Sequence, residues 1–483
     1  MKNTEVRKKH FISTLGTSVY VEGNYVCEAG NYCTKFVQQA SLEIMLGDQV
    51  DRITICMTDL AEEKNWENWN YTEKDIEQVQ RSYKEKNLAV GDKYQGLKEI
   101  LENRYPGIID TVRMVDGSSQ EETDQMFQSL YDAIGENEEV YLDITHGFRF
   151  FPMLAITVLE YAKVTKNITV GGIYYGMFGR KEEGKEIIEC PLLDLTYYSD
   201  ILDWSNAADA FVRYGNSKQI FDLMKPMMKK DYQKYGKLNN LVKALNDITS
   251  CIDTGRGRNG GKMTNSVQAA RARYQEQYNQ LDTKDFSDVK PLEVLMEKID
   301  QKVNDLKVDN NLMTGLSVIK WSIDNDMIQQ GYTALEETIK TYVCALAEVD
   351  DTTEKYRDFF SKNIINKLNI EKQGGIKDRS KWYRAWLEEM EERDSFKEFY
   401  KGSTESQEVI KDKVKKQAEN LINIIPEDLL KISDSVSKKR NDINHFGFTE
   451  TVSEYTKFQS HLCQKYEEFL NIIQENPIPE KTK

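Results

Sequence analysis

The stretch LDITHGFRFFP, residues 142–152, decides the fold. Asp143 breaks an apolar run, and Thr145, His146, Gly147 and Arg149 follow just where a helix begins. The residues before it, EEVYL, read as a strand. Those after it, FFPMLAITVLEYAK (150–163), read as a helix with Pro152 in its first turn, where a missing N–H leaves no bond unmade. The polar residues therefore occupy a strand–turn–helix joint. Free N–H groups and positive potential gather at such helix starts, and open α/β sheets bind ligands at the carboxyl ends of their strands.

The same alternation runs through the first 197 residues. Strands are expected at 10–16 (HFISTLG), 52–58 (RITICMT), 111–115 (TVRMV), 140–145 (VYLDIT) and 168–178 (ITVGGIYYGMF). They are short, apolar and often β-branched, as buried parallel strands tend to be. Helical stretches lie between them: SLEIMLG, GLKEILENRY, TDQMFQSLYDAIG and FPMLAITVLEYAK. This pattern implies a Rossmann-like α/β domain with right-handed crossovers, closed by PLLDLTYYSD around 191–200.

From about 201 the strand signal vanishes. Helices are expected at LDWSNAADAFVRYG, IFDLMKPMM, LNNLVKALNDIT, SVQAARARYQEQYNQL, PLEVLMEKIDQKVNDL and LMTGLSVIKWSIDNDM, with Pro226 a candidate breaker. The last helix is read from Val452, Tyr455, Phe458, Leu462, Tyr466, Phe469 and Ile472, which recur every three or four residues. The fold class is thus α/β followed by all-α, in three parts: 1–200, a helical connector 201–330, and a helical domain 331–483.

The totals narrow the partners. The 483 residues carry a net charge of −15, which argues against coating nucleic acid by bulk electrostatics but leaves room for a local basic site. No stretch of about 18 apolar residues stands ready to span a bilayer. The N-terminus, MKNTEVRKKHFIST, does not read as a signal peptide. Seven cysteines without a CxxC pair read as reduced thiols of a cytoplasmic protein, and no metal-ligand spacing occurs. The glycine-rich loop TGRGRNGGKMTN (254–265) lacks the P-loop spacing, and Lys262 is followed by Met263. It reads as a helix–helix loop, with a basic lip near a nucleic acid as the lesser alternative.

Two constellations can carry chemistry. The first gathers at the expected carboxyl ends of the strands: Gly16, Thr17 and Ser18; Thr58 and Asp59; Thr145, His146, Gly147 and Arg149; and Tyr175 with its neighbour Tyr174. Glycine lets a backbone approach a ligand, hydroxyls and guanidinium bond phosphate oxygens, and a tyrosine ring stacks on a base. No GxGxxG occurs, which disfavours an ordinary dinucleotide fold. The competing reading is that His146 and Arg149 cap strand and helix ends.

The second is KKRNDINHFGF (438–448). Arg440 and His445 are five residues apart, roughly 140° around a continuous helix, so they share a face only if the helix ends near Asn444 or if two copies complete one site. A histidine beside an arginine suits metal-free RNA cleavage. The imidazole handles the 2′-hydroxyl proton, and the guanidinium stabilises charge on the phosphorane. The competing reading is a helix end decorated with solvated charge.

VYLDITHGFRFFPML together with ISTLGTS resembles the ligand-sensing CARF domain (CRISPR-associated Rossmann fold) of type III CRISPR accessory proteins. RNDINH resembles the Arg-x4–6-His signature of HEPN ribonucleases, including the polar residue after the arginine, Asn441. The order, sensor first and HEPN last, is similar to that of the CARF–HEPN ribonucleases, and the middle helices match no recognised motif. The resemblance implies a homodimer or higher homo-oligomer. Its paired CARF domains would bind a cyclic oligoadenylate (tetra- or hexa-adenylate) through Gly16, Thr17, Ser18, Thr58, Asp59, Thr145, His146, Gly147, Arg149 and Tyr175. It implies HEPN domains that cut single-stranded RNA without a metal or other cofactor, through Arg440 and His445 with Asn441 assisting, leaving 2′,3′-cyclic phosphates. The alternatives are a cyclic-oligoadenylate-binding regulator with an inactive HEPN domain, a chain that also degrades its cyclic ligand, and a nucleotide-cofactor enzyme.

Overall fold

The computed structural model of the chain describes residues 6–478 apart from 84–87, 180–186, 259–264, 287–289, 374–378, 392–393, 401–403 and 449–451. Part of the glycine-rich loop, including Lys262 and Met263, therefore lies outside the described residues. The chain divides into two compact units, Met1–Leu202 and Asp203–Lys483.

The first unit is built on a sheet whose strands follow from the apolar runs. They are β1 (Lys9–Thr14), β2 (Gly23–Cys27), β3 (Gly30–Thr34), β4 (Arg52–Met57), β7 (Ile109–Arg113), β8 (Glu139–Asp143), β9 (Thr169–Gly176) and β10 (Ile188–Asp194); a small separate hairpin pairs β5 (Trp69–Asn70) with β6 (Lys93–Tyr94). The order across the main sheet is β3-β2-β10-β9-β8-β1-β4-β7. The five strands from β9 to β7 are mutually parallel. They are the five expected from sequence, and they give the Rossmann-like order, with the chain turning from one side of β1 to the other.

Both faces of this sheet are covered, and the period-2 alternation of strand side chains sorts residues between them. Phe11, Ile53, Ile55 and Tyr141 enter one core with Phe36, Leu97 and Leu101. Ile12, Cys56, Val140 and Leu142 enter the other with Leu130, Phe151 and Leu154. Fully burying one such large side chain contributes about 1.5–3 kcal/mol.

Three strands escape the apolar-run reading. GNYVC and GNYCT form a hairpin in which Cys27 faces Gly30 across a two-residue turn. β10 runs antiparallel to β9 and parallel to β2, so the hairpin extends the sheet. The closing segment 191–200 is accordingly split: the strand ends at Asp194, whose carboxylate accepts the Thr196 N–H at 2.9 Å, and a helix starts at Thr196.

The second unit is helical throughout its described residues. One core gathers side chains between Trp204 and Trp321, and another gathers side chains between Leu316 and Ile472. The Asn311–Asp324 helix serves both, with Val318 and Trp321 in the first and Leu316 and Ile319 in the second.

Two expectations are corrected here. Pro226 does not break its helix, which runs Lys218–Lys230; the proline is exposed, so the carbonyl it leaves without an N–H partner lies toward solvent. Val452 and Tyr455 do not belong to the last helix, Thr456–Glu475, and are 60% and 86% exposed. The Ser453 N–H donates to Asp442 at 2.9 Å and Lys439 donates to the Ser453 hydroxyl at 2.5 Å, which ties this segment back to the preceding helix.

A buried network closes the amino-terminal edge of the sheet. His10, fully buried on β1, lies 2.8 Å from Glu138 and 2.7 Å from the Thr54 hydroxyl, and the Gly135 N–H donates to Glu138 at 2.7 Å. Burial alone would lift the Glu138 carboxyl, but His10, the Gly135 N–H and Arg52 outweigh it and hold it below the ordinary 4.5. A carboxyl depressed by folding contributes stability that is present above its unfolded value and is lost as pH falls through its folded value. Glu138→Gln is therefore expected to cost about 1–3 kcal/mol at neutral pH. It should also shed less melting temperature than the parent chain on acidification below 4.5. Melting curves against pH check this, and parallel curves for the two proteins would contradict it.

Candidate functional site

The order of the parallel strands reverses at β1. The chain passes from β1 to β4 and β7 on one side, then returns to β8 and β9 on the other. Such a reversal opens a crevice at the carboxyl ends of the two strands that flank it, here β1 and β8.

Asp143 ends β8 and is fully buried. Its carboxylate accepts the Ser13 hydroxyl of β1 at 2.6 Å, the Thr145 N–H at 3.1 Å and the Thr145 hydroxyl. Burial pushes this carboxyl above the ordinary aspartate value, and the three donors oppose the shift. Thr145 accepts in turn from the Gly176 N–H of β9 at 2.8 Å. The Thr14 hydroxyl donates to the His146 carbonyl. Gly147 has φ of +113°, a conformation that favours glycine, and it turns the chain toward the Phe151–Thr165 helix. Pro152 lies in that helix's first turn, where the sequence placed it.

The loop after β1 is held from behind. The Gly16 N–H donates to the Tyr20 hydroxyl at 2.8 Å, and a Cβ on Gly16 would stand 2.6 Å from that oxygen, so a larger residue there would have to displace the Tyr20 side chain. The Asn65 amide donates to the carbonyls of Gly16 and Ser18, both at 2.8 Å. The Tyr94 hydroxyl fixes the Asn65 side chain at 2.6 Å. The Tyr20 ring stacks on His146 at 4.6 Å between centroids and 23° between planes. Half-buried in this stack, the His146 imidazole has its pKa pushed down to about 4 by desolvation, so it is neutral at pH 7.

The predicted residues fall into three groups. Gly16, Thr145, His146 and Gly147 are joined into one framework at the switch point, with exposed Thr17 and Ser18 at its lip. Arg149 is exposed and makes no hydrogen bond or ion pair among the described residues, and Tyr175 is 36% exposed while Tyr174 is buried. Thr58 and Asp59 have local work: the Thr58 hydroxyl caps its own helix by accepting from the Ala61 N–H, and Asp59 pairs with Arg113 at 2.9 Å. The edge thus offers hydroxyls, a guanidinium and an aromatic face, a set suited to phosphate and base. Ser13, Tyr20, Gln38 and Asn65 were not among the predicted residues. Gln38 donates to the Thr14 carbonyl at 2.7 Å from a helix, and nothing in the spacing of Gln38 or Asn65 marks them. Asp143 alone had a signal, as an acid breaking a strand.

In the second unit the Glu427–Asn444 helix ends one residue before His445, which occupies the C-cap. Phe446 and Gly447 then adopt φ of +55° and +70°, reversing the chain. His445 and Asn441 are exposed, and Arg440 is half-buried with its Nε 3.5 Å from Glu336. Phe446, Phe448, Val452 and Tyr455 lie beside the reversal and are 60–87% exposed, a concentration of bare apolar surface. Among the described residues no group of three His, Cys, Asp or Glu gathers to hold a metal ion, and no helix is long and apolar enough to cross a membrane.

The stack on Tyr20 predicts a histidine that stays neutral. In a chain labelled at its histidines, the His146 ring resonances should stay constant from about pH 8 to about pH 5. A midpoint near the ordinary 6.5 would contradict the buried stack.

Residues 10–179 match the family model for the CARF domain of the CRISPR system endoribonuclease Csx1. Residues 200–305 match that for the second domain of the CRISPR-associated protein MJ1674. MJ1674 itself, from Methanocaldococcus jannaschii, is 27% identical over 322 residues, covering 65% of this chain and 45% of the relative, so the match spans about half of that protein's length. The switch-point residues all lie inside the first match, whereas Arg440 and His445 lie outside both family matches. The chain is thus similar to a CARF domain over 10–179 and to a CRISPR-associated protein beyond it.

Proposed function

We propose that the chain is a CRISPR-associated ribonuclease that senses a cyclic oligoadenylate with its N-terminal unit and cuts single-stranded RNA with its C-terminal helices. The observation that carries this reading is the match of residues 10–179 to the CARF domain of an endoribonuclease, because that stretch holds the whole switch-point framework. A ring of adenylates presents phosphates and bases together. Thr17, Ser18 and Arg149 supply donors for the first, and Tyr175 supplies a stacking face for the second. His146, being neutral, serves as a hydrogen-bonding and packing surface. Two copies share one ring across a two-fold axis.

The division into sensor (1–200), connector (201–330) and HEPN domain (331–483) belongs to the same reading. In the last part His445 takes the 2′-hydroxyl proton and Arg440 stabilises the charge on the phosphorane, with Asn441 orienting the imidazole. The attack leaves a 2′,3′-cyclic phosphate and a 5′-hydroxyl, and it requires no metal. The exposed Phe446, Phe448, Val452 and Tyr455 support a second copy at this end, since a bare apolar surface beside a polar site favours a partner. The net charge of −15 suits an enzyme that holds RNA weakly until it is signalled.

The test is RNA cleavage by the full chain with cyclic tri-, tetra- and hexa-adenylate in parallel. One ring should switch cleavage on, and His445→Ala should abolish it while binding of that ring survives; undiminished cleavage by His445→Ala would remove the catalytic assignment. Arg149→Ala should raise the ring concentration needed for half-maximal activation by about tenfold or more, as loss of a charge-assisted phosphate contact does, with melting unchanged. Full activation at the parent's ring concentration would remove Arg149 from the site.

A further inference from the structure

Arg440 is not held as a solvated helix-end charge. Its Nε and the Glu336 Oε2 lie 3.5 Å apart, close enough for an ion pair, and both atoms are shut off from solvent without a hydrogen bond. Glu336 sits on the Ile328–Leu346 helix, which packs against the Glu427–Asn444 helix. Its side chain is 14% exposed.

That carboxylate is itself fixed by a run of charges along its helix. Lys340 lies 3.1 Å from the Glu336 Oε1 and 2.7 Å from Glu337. Glu337 takes the Arg357 Nη2 at 2.8 Å. Arg357 also donates to the Thr341 hydroxyl at 2.9 Å and to the Glu337 carbonyl at 2.9 Å. Burial would lift the Glu337 carboxyl, but Lys340 and Arg357 outweigh it and hold it down. Three cations, Arg357, Lys340 and Arg440, face two carboxylates, Glu337 and Glu336. An arginine whose Nε side faces a carboxylate keeps both terminal nitrogens for a forked bond to an oxyanion. Neither terminal nitrogen of Arg440 makes a hydrogen bond among the described residues.

We infer that Glu336 is a positioning residue: its carboxylate, braced by Lys340, holds the Arg440 guanidinium by the ion pair on its Nε side and so leaves the two terminal nitrogens for the scissile phosphate of an RNA strand. The inference rests on the reading of Arg440 as an RNA-cleaving residue. Because Glu336 acts through orientation, its loss falls on the chemical step and spares strand binding.

The experiment measures kcat and KM for RNA cleavage by the full chain with its activating ring, for the parent, Glu336→Gln, Glu336→Asp, Arg440→Ala, Arg440→Lys and the double variant Glu336→Gln/Arg440→Lys. Glu336→Gln keeps the side chain's volume and an acceptor for Lys340. It should lower kcat by about 10–100-fold, the usual effect of removing a group that orients a working side chain, with KM changed little. Glu336→Asp, which retains the charge, should recover part of that loss. In the Arg440→Lys background, where no Nε remains to grip, Glu336→Gln should cost little more. A Glu336→Gln chain with parental kcat, or one whose loss is equally large with Arg440→Lys present, overturns the inference. If Arg440→Ala still cleaves at the parental rate, the functional reading falls and takes this inference with it. If Arg440→Ala is dead and Glu336→Gln is fully active, only the inference falls.

Discussion

The first unit depends on one buried carboxylate. Asp143 is removed from water at the end of a central strand, a placement that is costly unless every lone pair finds a donor. The donors come from the adjacent strand, Ser13, and from the turn that follows, Thr145. Those bonds lock the carboxyl ends of β1 and β8 to each other at the point where the strand order reverses. Thr145 then passes the constraint to β9 through Gly176. A ligand meeting this edge meets a surface set in advance, and a preorganised site spends little of its binding energy on ordering itself.

The same economy recurs where the second unit buries charge. Arg440, Glu336, Lys340, Glu337 and Arg357 compensate one another in sequence. A buried ion pair is weak evidence for stability, since desolvation offsets much of the attraction. The value we propose for it is orientation, Glu336 holding Arg440 in place. Asp143 and Glu336 are comparable in this sense. Each is a hidden or half-hidden acid set among polar or charged partners.

What the sequence made legible follows from physics that acts locally. β1, β4 and β8 were readable because strands buried on both faces must be continuous apolar runs; β9 and the edge strand β7, less buried, were read from their β-branched residues. β2 and β3 were not, because glycine, asparagine and cysteine dilute their pattern, and β10 was not, because Glu189 and Pro191 interrupt its apolar run. The turn LDITHGFRFFP was legible through Pro152 and Gly147, whose backbone demands are strict. The supports behind it were not. Asn65 and Gln38 act across 24 to 49 residues of chain, and an amide in a helix carries no mark of the carbonyl it will meet. Val452 and Tyr455 kept the helical spacing but fell outside the helix, because Asp442 and Lys439 capture Ser453 first. Thr58 and Asp59 sat on the expected edge, yet a helix cap and an Arg113 pair already occupy them.

The central claim is that the edge framed by Asp143 is a receptor for a ring of adenylates shared by two copies of the chain. Titration calorimetry of the full chain with cyclic tetra- and hexa-adenylate tests it most directly. The account predicts saturable heat for one of the two, at one ring for every two chains, and its loss when Arg149 is replaced by alanine. An absence of heat with both rings, or one ring bound per single chain with Arg149 dispensable, would contradict it.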